Sequence, residues 1–242
     1  MGRFTREITA PIKSNNNKND MAIIILSAGI GARIKSNEPR SLIKLGNKTL
    51  VEHQIDIINN TINNQEIIGV FGYAIEKIIK KIAGKLRVVE NQVYQETNNS
   101  ESLRLAVNNT SKKNIMFLHG DLYFNDSVFS KLNYKKSFLI VDNKEMMKPK
   151  EIGVTIQNNK ATILSYGLST KWCQIAFMTG KELKILKNIL QKLQGSQKKL
   201  LSFEIINKMI SMGANFECYE PNNMSIVEID CIKDLKNENF NL

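Results

Sequence analysis

From residue 21 onward, short apolar runs alternate with amphipathic stretches along the chain, a pattern expected of strands in a mostly parallel sheet joined by crossover helices. Residues 22–26 form a continuous apolar run of strand length, as a central strand covered on both faces requires. The spacing then predicts a helix over 50–59, a strand over 67–71, a helix over 74–82, a strand over 86–89, a helix over 100–108 and a strand over 115–118. Strand-like runs at 138–141, 152–156, 162–166 and 174–178 follow with little helix between them, which predicts an antiparallel portion added to the parallel one. Two periodic helices at 182–194 and 203–212, strands at 216–219 and 225–228, and a terminal helix from about Ile232 complete the reading. The fold class is therefore α/β, a Rossmann-like, mostly parallel mixed sheet flanked by helices, with a small antiparallel portion on the substrate side. Residues 1–20, with the run Asn15-Asn16-Asn17, read as a flexible tail ahead of a single domain over 21–242.

Composition narrows the setting. No run approaches the roughly 18 apolar residues of a membrane span, and the polar opening lacks the apolar centre of a secretory signal. Arg6 stands where a myristoylation signal wants Ser or Thr. Cys173, Cys218 and Cys231 are widely spaced, with His53 and His119 the only histidines, which disfavours structural zinc and disulfides and suits a reducing, cytoplasmic compartment. The net charge of +11 comes from short, scattered lysine pairs such as Lys80-Lys81 and Lys112-Lys113, without interleaved aromatic residues. A solvated lysine-rich surface that attracts anionic substrates accounts for it without a nucleic-acid partner.

The first chemical signal is the turn leaving the first strand, Leu26, Ser27, Ala28, Gly29, Ile30, Gly31, Ala32 and Arg33. Glycines let backbone approach an anion, and successive N–H groups in such a turn can cradle phosphate oxygens. Ile34 occupies the third glycine position of a dinucleotide fingerprint, and no P-loop follows. Arg33 behind the turn and Arg40 a few residues on deliver two guanidinium groups able to neutralise a polyphosphate.

The string LSAGIGARI followed by EPRSLIKLGNKTLVEHQI resembles the opening of the MobA-like nucleotidyltransferases that make CDP-, UDP-, GDP- or dTDP-activated small molecules, whose usual form is L-A-A-G-x-G-S/T-R, then P-K-x-L and a leucine-rich helix. The resemblance implies a GT-A-like fold, a glycine loop wrapped around the NTP phosphates and a basic residue after Pro at the reacting centre. Ser27, Ala32 and Arg40 depart from that form, and Arg cannot place its charge as the compact ammonium of Lys would.

A second signal is Gly120-Asp121 at the end of an apolar strand, a position suited to holding a hard cation with its nucleotide. A third is Glu228-Ile229-Asp230, whose alternation sends both carboxylates to one face. The resemblance implies that Asp121 and Asp230 are magnesium ligands, while Glu228 is either an outer partner of the site or a salt-bridge residue. The fourth is the loop over 94–103, where Asn98, Asn99 and Ser102 could read a base edge or cap the next helix. Its T-N-N-x-x-S-L run is similar to phosphocholine and 2-aminoethylphosphonate cytidylyltransferases, which makes CTP the preferred nucleotide. Tyr73 matches a G-Y of the family or packs at the sheet edge, and Lys171, Trp172 and Gln174 lie in the half where acceptor specificity resides. Trp172 either packs or offers a cation–π contact to a choline-like ammonium.

The expected activity is a Mg²⁺-dependent nucleotidyltransferase, with Arg33, Arg40, Asp121 and Asp230 catalytic, that joins CTP to a small phosphorylated or phosphonylated substrate and releases pyrophosphate. The alternatives are a sugar-1-phosphate nucleotidyltransferase using UTP, GTP or dTTP and a noncatalytic nucleotide- or nucleic-acid-binding module. No membrane partner is expected, and homodimerisation is left open.

Overall fold

The computed structural model describes residues 20–30, 38–63, 65–144 and 147–229, together with the backbone of Glu7–Ile8. The first strand, β1 (Glu7–Ile8), falls within the segment read as a tail and pairs antiparallel with Val88 and Val89 at one edge of the main sheet. Next comes β2 (Met21–Ser27), whose alternating side chains enter two different cores, Ala22, Ile24 and Leu26 in one and Met21, Ile23 and Ile25 in the other. Burial on both faces is why this run is apolar throughout, and each fully buried isoleucine contributes roughly 1.5–3 kcal/mol.

After β2 a 3₁₀ turn over Arg40–Leu42 leads to the small hairpin β3 (Lys44–Leu45) and β4 (Lys48–Thr49), and then to α1 (Leu50–Thr61). Thr49 opens that helix, its N–H and hydroxyl both donating to the Glu52 carboxylate at 3.0 and 2.8 Å. The parallel part continues through β5 (Glu66–Phe71), α2 (Ile75–Ile82), β6 (Arg87–Glu90), α3 (Asn99–Asn108) and β7 (Asn114–His119). Strands β6, β5, β2 and β7 lie side by side in parallel, with α1 and α2 covering one face and α3 the other.

Beyond β7 run β8 (Leu122–Phe124), β9 (Phe138–Asp142), β10 (Ile152–Gln157), β11 (Lys160–Tyr166) and the long β12 (Thr170–Thr179). The chain then passes through α4 (Gly180–Gln191), α5 (Ser202–Ser211), β13 (Glu217–Tyr219) and β14 (Ile226–Glu228). The expected antiparallel portion is β12 against β7, β9 and β10, with β11 beside β10. Pairings among β12, β10, β11, β13 and β9 close on themselves, so this half is a compact curved unit attached to the parallel sheet through β12. The terminal helix expected from Ile232 lies outside the described residues. Among the described residues no helix is long and apolar enough to cross a membrane.

Candidate active site

Because β2, β5 and β7 are parallel, their carboxyl ends share one edge, with Ser27 opposite Phe71 and Leu26 opposite His119. Such an edge is where open α/β sheets bind ligands. Two glycines let the turn after β2 settle there. The Gly120 N–H donates to the Leu26 carbonyl at 2.8 Å, and a Cβ on Gly120 would sit 2.5 Å from Ser27 Oγ. On the other side a Cβ on Gly72 would meet the Tyr94 ring at 2.7 Å and the Ala28 carbonyl at 2.8 Å, while the Tyr73 N–H donates to that carbonyl at 3.1 Å. Gly29 and Ile30 emerge exposed beyond this wedge, with open space where a Gly29 Cβ would be. Gly31, Ala32 and Arg33 lie outside the described residues.

Asp121 follows Gly120 at the tip of β7. The strand after it, β8, pairs antiparallel with β14, Leu122 opposite Glu228, so the chain beyond Glu228 runs alongside Asp121. The Ile229 N–H donates to the Asp121 carbonyl at 2.8 Å. Asp230 is the next residue, about 3.8 Å further along the chain by Cα spacing, and itself lies outside the described residues. Two segments more than a hundred positions apart are thus brought together up to the residue before the second carboxylate.

Arg40 Nη1 donates to Asp121 Oδ2, and both side chains are only 17% exposed. A small apolar cluster of Ile43, Leu50, Val227 and Ile229, with Leu45 and Tyr123 against it, ties the Arg40 segment, the start of α1 and β14 to one another. Arg40 therefore stands against the carboxylate rather than out in the crevice.

His119, the residue before Gly120, collects the remaining polar groups. Its Nε2 meets Asn99 Nδ2 at 3.2 Å and Ser202 Oγ at 2.7 Å. An amide nitrogen only donates, so Nε2 is an acceptor in this arrangement and Nδ1 carries the proton. Burial drives the imidazole pKa down to about 4, opposed by the Glu228 charge and a hydrogen bond with Gln174 and reinforced by Arg40. Gln174 in turn donates from Nε2 to Glu228 Oε2 at 2.7 Å. It does so from a left-handed backbone, φ +58°, at a break in the β12 register between Trp172 and Ala176. A chain of hydrogen bonds thus runs from Asn99 through His119 and Gln174 to Glu228, beside Asp121.

Three expectations are corrected by burial. Trp172 is 1% exposed, its edge against Phe117 and His119 and its Nε1 donating to the Ile175 carbonyl at 3.2 Å, so it is a core residue with no face open to an ammonium. Lys171 is buried in an ion pair with Glu151 at 3.0 Å, which anchors the ammonium to the protein. Ser102 is buried beneath the loop, its Oγ accepting from Asn91 Nδ2 at 3.1 Å, which makes it a brace for the loop rather than a group on the crevice. Asn98 caps α3, its side chain accepting from the Asn99 N–H at 2.9 Å, while its backbone N–H donates to the Lys198 carbonyl. His119 stands inside the Phe117–Asp121 motif, but its contacts come from Asn99, Ser202 and Gln174, which local sequence does not bring together.

Asp121, Arg40 and the described start of the glycine turn meet at one strand edge, with the Ile229 N–H hydrogen-bonded to the Asp121 carbonyl. Among the described residues no group of three or more His, Cys, Asp or Glu side chains gathers to hold a metal unaided. A family description, the MobA-like NTP transferase domain, matches residues 23 to 134, just under half of the chain. The matched segment contains the glycine turn, Arg40, His119 and Asp121. The chain is 31% identical over 138 residues to the bifunctional protein GlmU of Methanococcus maripaludis, a match covering 55% of this chain and 33% of the relative. GlmU of Buchnera aphidicola is 31% identical over 105 residues, covering 43% and 23%. The chain thus spans about a third or less of the curated relatives it matches.

The fold extends further than the family match. CTP:phosphocholine cytidylyltransferase from Streptococcus pneumoniae superposes with a TM-score of 0.72 at 21% identity, over 90% of this chain and 96% of that one. The inositol-1-phosphate CTP transferase from T. maritima gives 0.71 at 19% identity, over 88% and 90%. A putative glucose-1-phosphate thymidylyltransferase from Bacillus anthracis gives 0.74 at 15% identity, over 90% and 93%. The antiparallel half outside the matched segment therefore shares the fold of these structures.

Proposed function

We propose that the chain is a magnesium-dependent cytidylyltransferase that joins CTP to a small phosphomonoester or phosphonate and releases pyrophosphate. The observation that carries this reading is the Ile229-to-Asp121 backbone bond, which brings the segment of Asp230 to Asp121 beside the glycine turn and Arg40. Magnesium suits the donor set, since it takes one or two carboxylates and completes its shell with water and substrate phosphates. Asp121 and Asp230 would hold it, and when bound it would offset negative charge on the phosphates.

The acceptor's anionic oxygen attacks the α-phosphorus of CTP, a new P–O bond forms, and the α–β bridging P–O bond breaks to release pyrophosphate. No protein nucleophile is required, because the attacking oxygen is already charged. Arg40, with Arg33 beyond the glycine turn, counters the charge that accumulates on the phosphates. Its ion pair with Asp121 orients the carboxylate. Asn98 and Asn99 stand at the start of α3, with Asn99 tied to His119, and amides there can donate to and accept from a pyrimidine edge. Glu228, on the strand beside Asp121, and Gln174, hydrogen-bonded to it, are assigned to the acceptor.

A second reading, a sugar-1-phosphate nucleotidyltransferase, is favoured by the fold similarity to the glucose-1-phosphate thymidylyltransferase. Pyrophosphate release measured with CTP, UTP, GTP and dTTP, each with phosphocholine, 2-aminoethylphosphonate and glucose-1-phosphate, separates the two. CTP with phosphocholine or the phosphonate is expected to give the fastest release. Release confined to UTP or dTTP with glucose-1-phosphate would establish the second reading instead, and no release from any pair would defeat both.

A further inference from the structure

Helix α1 buries Leu50, Val51, Glu52, Gln54, Ile55 and Ile58, and the amide of Gln54, with 0% exposure, lies deeper than the Glu52 carboxylate at the helix start. A buried amide is costly unless its hydrogens are placed. Gln54 places both: Nε2 donates to the His119 carbonyl at 3.1 Å and to the Leu122 carbonyl at 2.7 Å. Those two carbonyls flank Gly120-Asp121, so one side chain grips the turn on either side of the carboxylate. The turn is also held by the Gly120 N–H on Leu26, the Asp121 carbonyl under the Ile229 N–H and the Arg40–Asp121 ion pair. Gln54 Oε1 is buried with no hydrogen-bond partner among the described residues. A leucine would fill the same space without that cost, which marks the two donated bonds as what the amide is for.

We infer that Gln54 is a positioning residue that sets the direction of the Asp121 carboxylate through the 119–122 turn and thereby tunes divalent-cation affinity. The inference rests on the reading of Asp121 as a metal ligand. Groups that orient a ligand from behind typically shift metal affinity or activity by roughly 10- to 100-fold when removed.

The test uses the full chain with Gln54→Leu, which keeps the volume and loses both donors, and Gln54→Glu, which is isosteric and at neutral pH sets a carboxylate against two carbonyls. Three quantities are read: Mn²⁺ affinity in the presence of CTP, the Mg²⁺ concentration for half-maximal pyrophosphate release, and amide hydrogen exchange at Gly120. Both variants are expected to bind Mn²⁺ roughly 10- to 100-fold more weakly, to need proportionally more Mg²⁺, and to exchange the Gly120 amide faster, with the KM for CTP unchanged at saturating Mg²⁺. A folded Gln54→Leu with wild-type Mn²⁺ affinity overturns the inference, and should that variant not fold, Gln54→Glu decides in the same way. If the wild type neither binds Mn²⁺ nor releases pyrophosphate, the cytidylyltransferase reading falls. The exchange rate then still decides the grip itself, since an unchanged Gly120 rate in both variants would show that Gln54 does not hold the turn.

Discussion

A glutamine at φ +58° inside a ten-residue strand costs about 1 kcal/mol of backbone strain, and it persists because the bulge aims its amide at Glu228. Gln174→Gly and Gln174→Ala both lose that amide, but only glycine accepts the left-handed backbone freely. Urea unfolding should therefore find Gln174→Gly more stable than Gln174→Ala by about 1 kcal/mol. Equal stabilities would mean that the position carries no strain. Titration adds a second test at this scale. The folded pKa of His119, about 4, lies below its unfolded value of 6.5, so the unfolded chain takes up the proton first as pH falls. Stability is unaffected by this group above pH 6.5 and declines between pH 6.5 and 4, by up to about 3 kcal/mol at about 1.4 kcal/mol per unit. His119→Asn should flatten that decline, and an unchanged slope would place the pH dependence elsewhere. Glu52 acts in a lower window: burial works against its charge, but Lys85 and the Thr49 N–H and hydroxyl outweigh burial and hold its pKa at about 2. Its contribution is present above pH 4.5 and is lost as pH falls toward 2.

At the scale of elements, the strand-end turns depend on close backbone approach. Gly120→Ala would drive a methyl group into Ser27, costing roughly 1–3 kcal/mol and displacing Asp121, so thermal stability and pyrophosphate release should both drop. A fully active, equally stable variant would show that β2 and β7 need not meet there. The parallel strands were legible because burial on both faces makes them apolar throughout, and α1, α3, α4 and α5 because one face of each is apolar at helical spacing. Three-residue β8 is not legible, since Leu122–Phe124 is too short to show a period, although its pairing with β14 is what brings the chain after Glu228 beside Asp121. The long β12 was predicted only over its carboxyl half because the bulge at Gln174 interrupts the alternation. Gln54 carried a readable signal, an amide where helical periodicity calls for an apolar side chain. Trp172, Lys171 and Ser102 were misjudged because burial depends on neighbours far along the chain, Phe117, Glu151 and Asn91, that local pattern does not reveal.

For the molecule as a whole, the parallel half supplies the strand edge at which the proposed reading places the nucleotide phosphates, and the closed antiparallel half supplies Gln174, with Glu228 joining from β14. The net charge of +11 favours anionic ligands generally and does not discriminate among them. The proposed reaction depends on one cation shared by Asp121, midway along the chain, and Asp230, near its carboxyl end. The direct test is Mn²⁺ binding, in the presence of CTP, to the wild type, Asp121→Ala and Asp230→Ala, with folding checked by circular dichroism. A single tight site in the wild type that is lost in each folded variant is the predicted result. Undiminished Mn²⁺ affinity in either variant would contradict it.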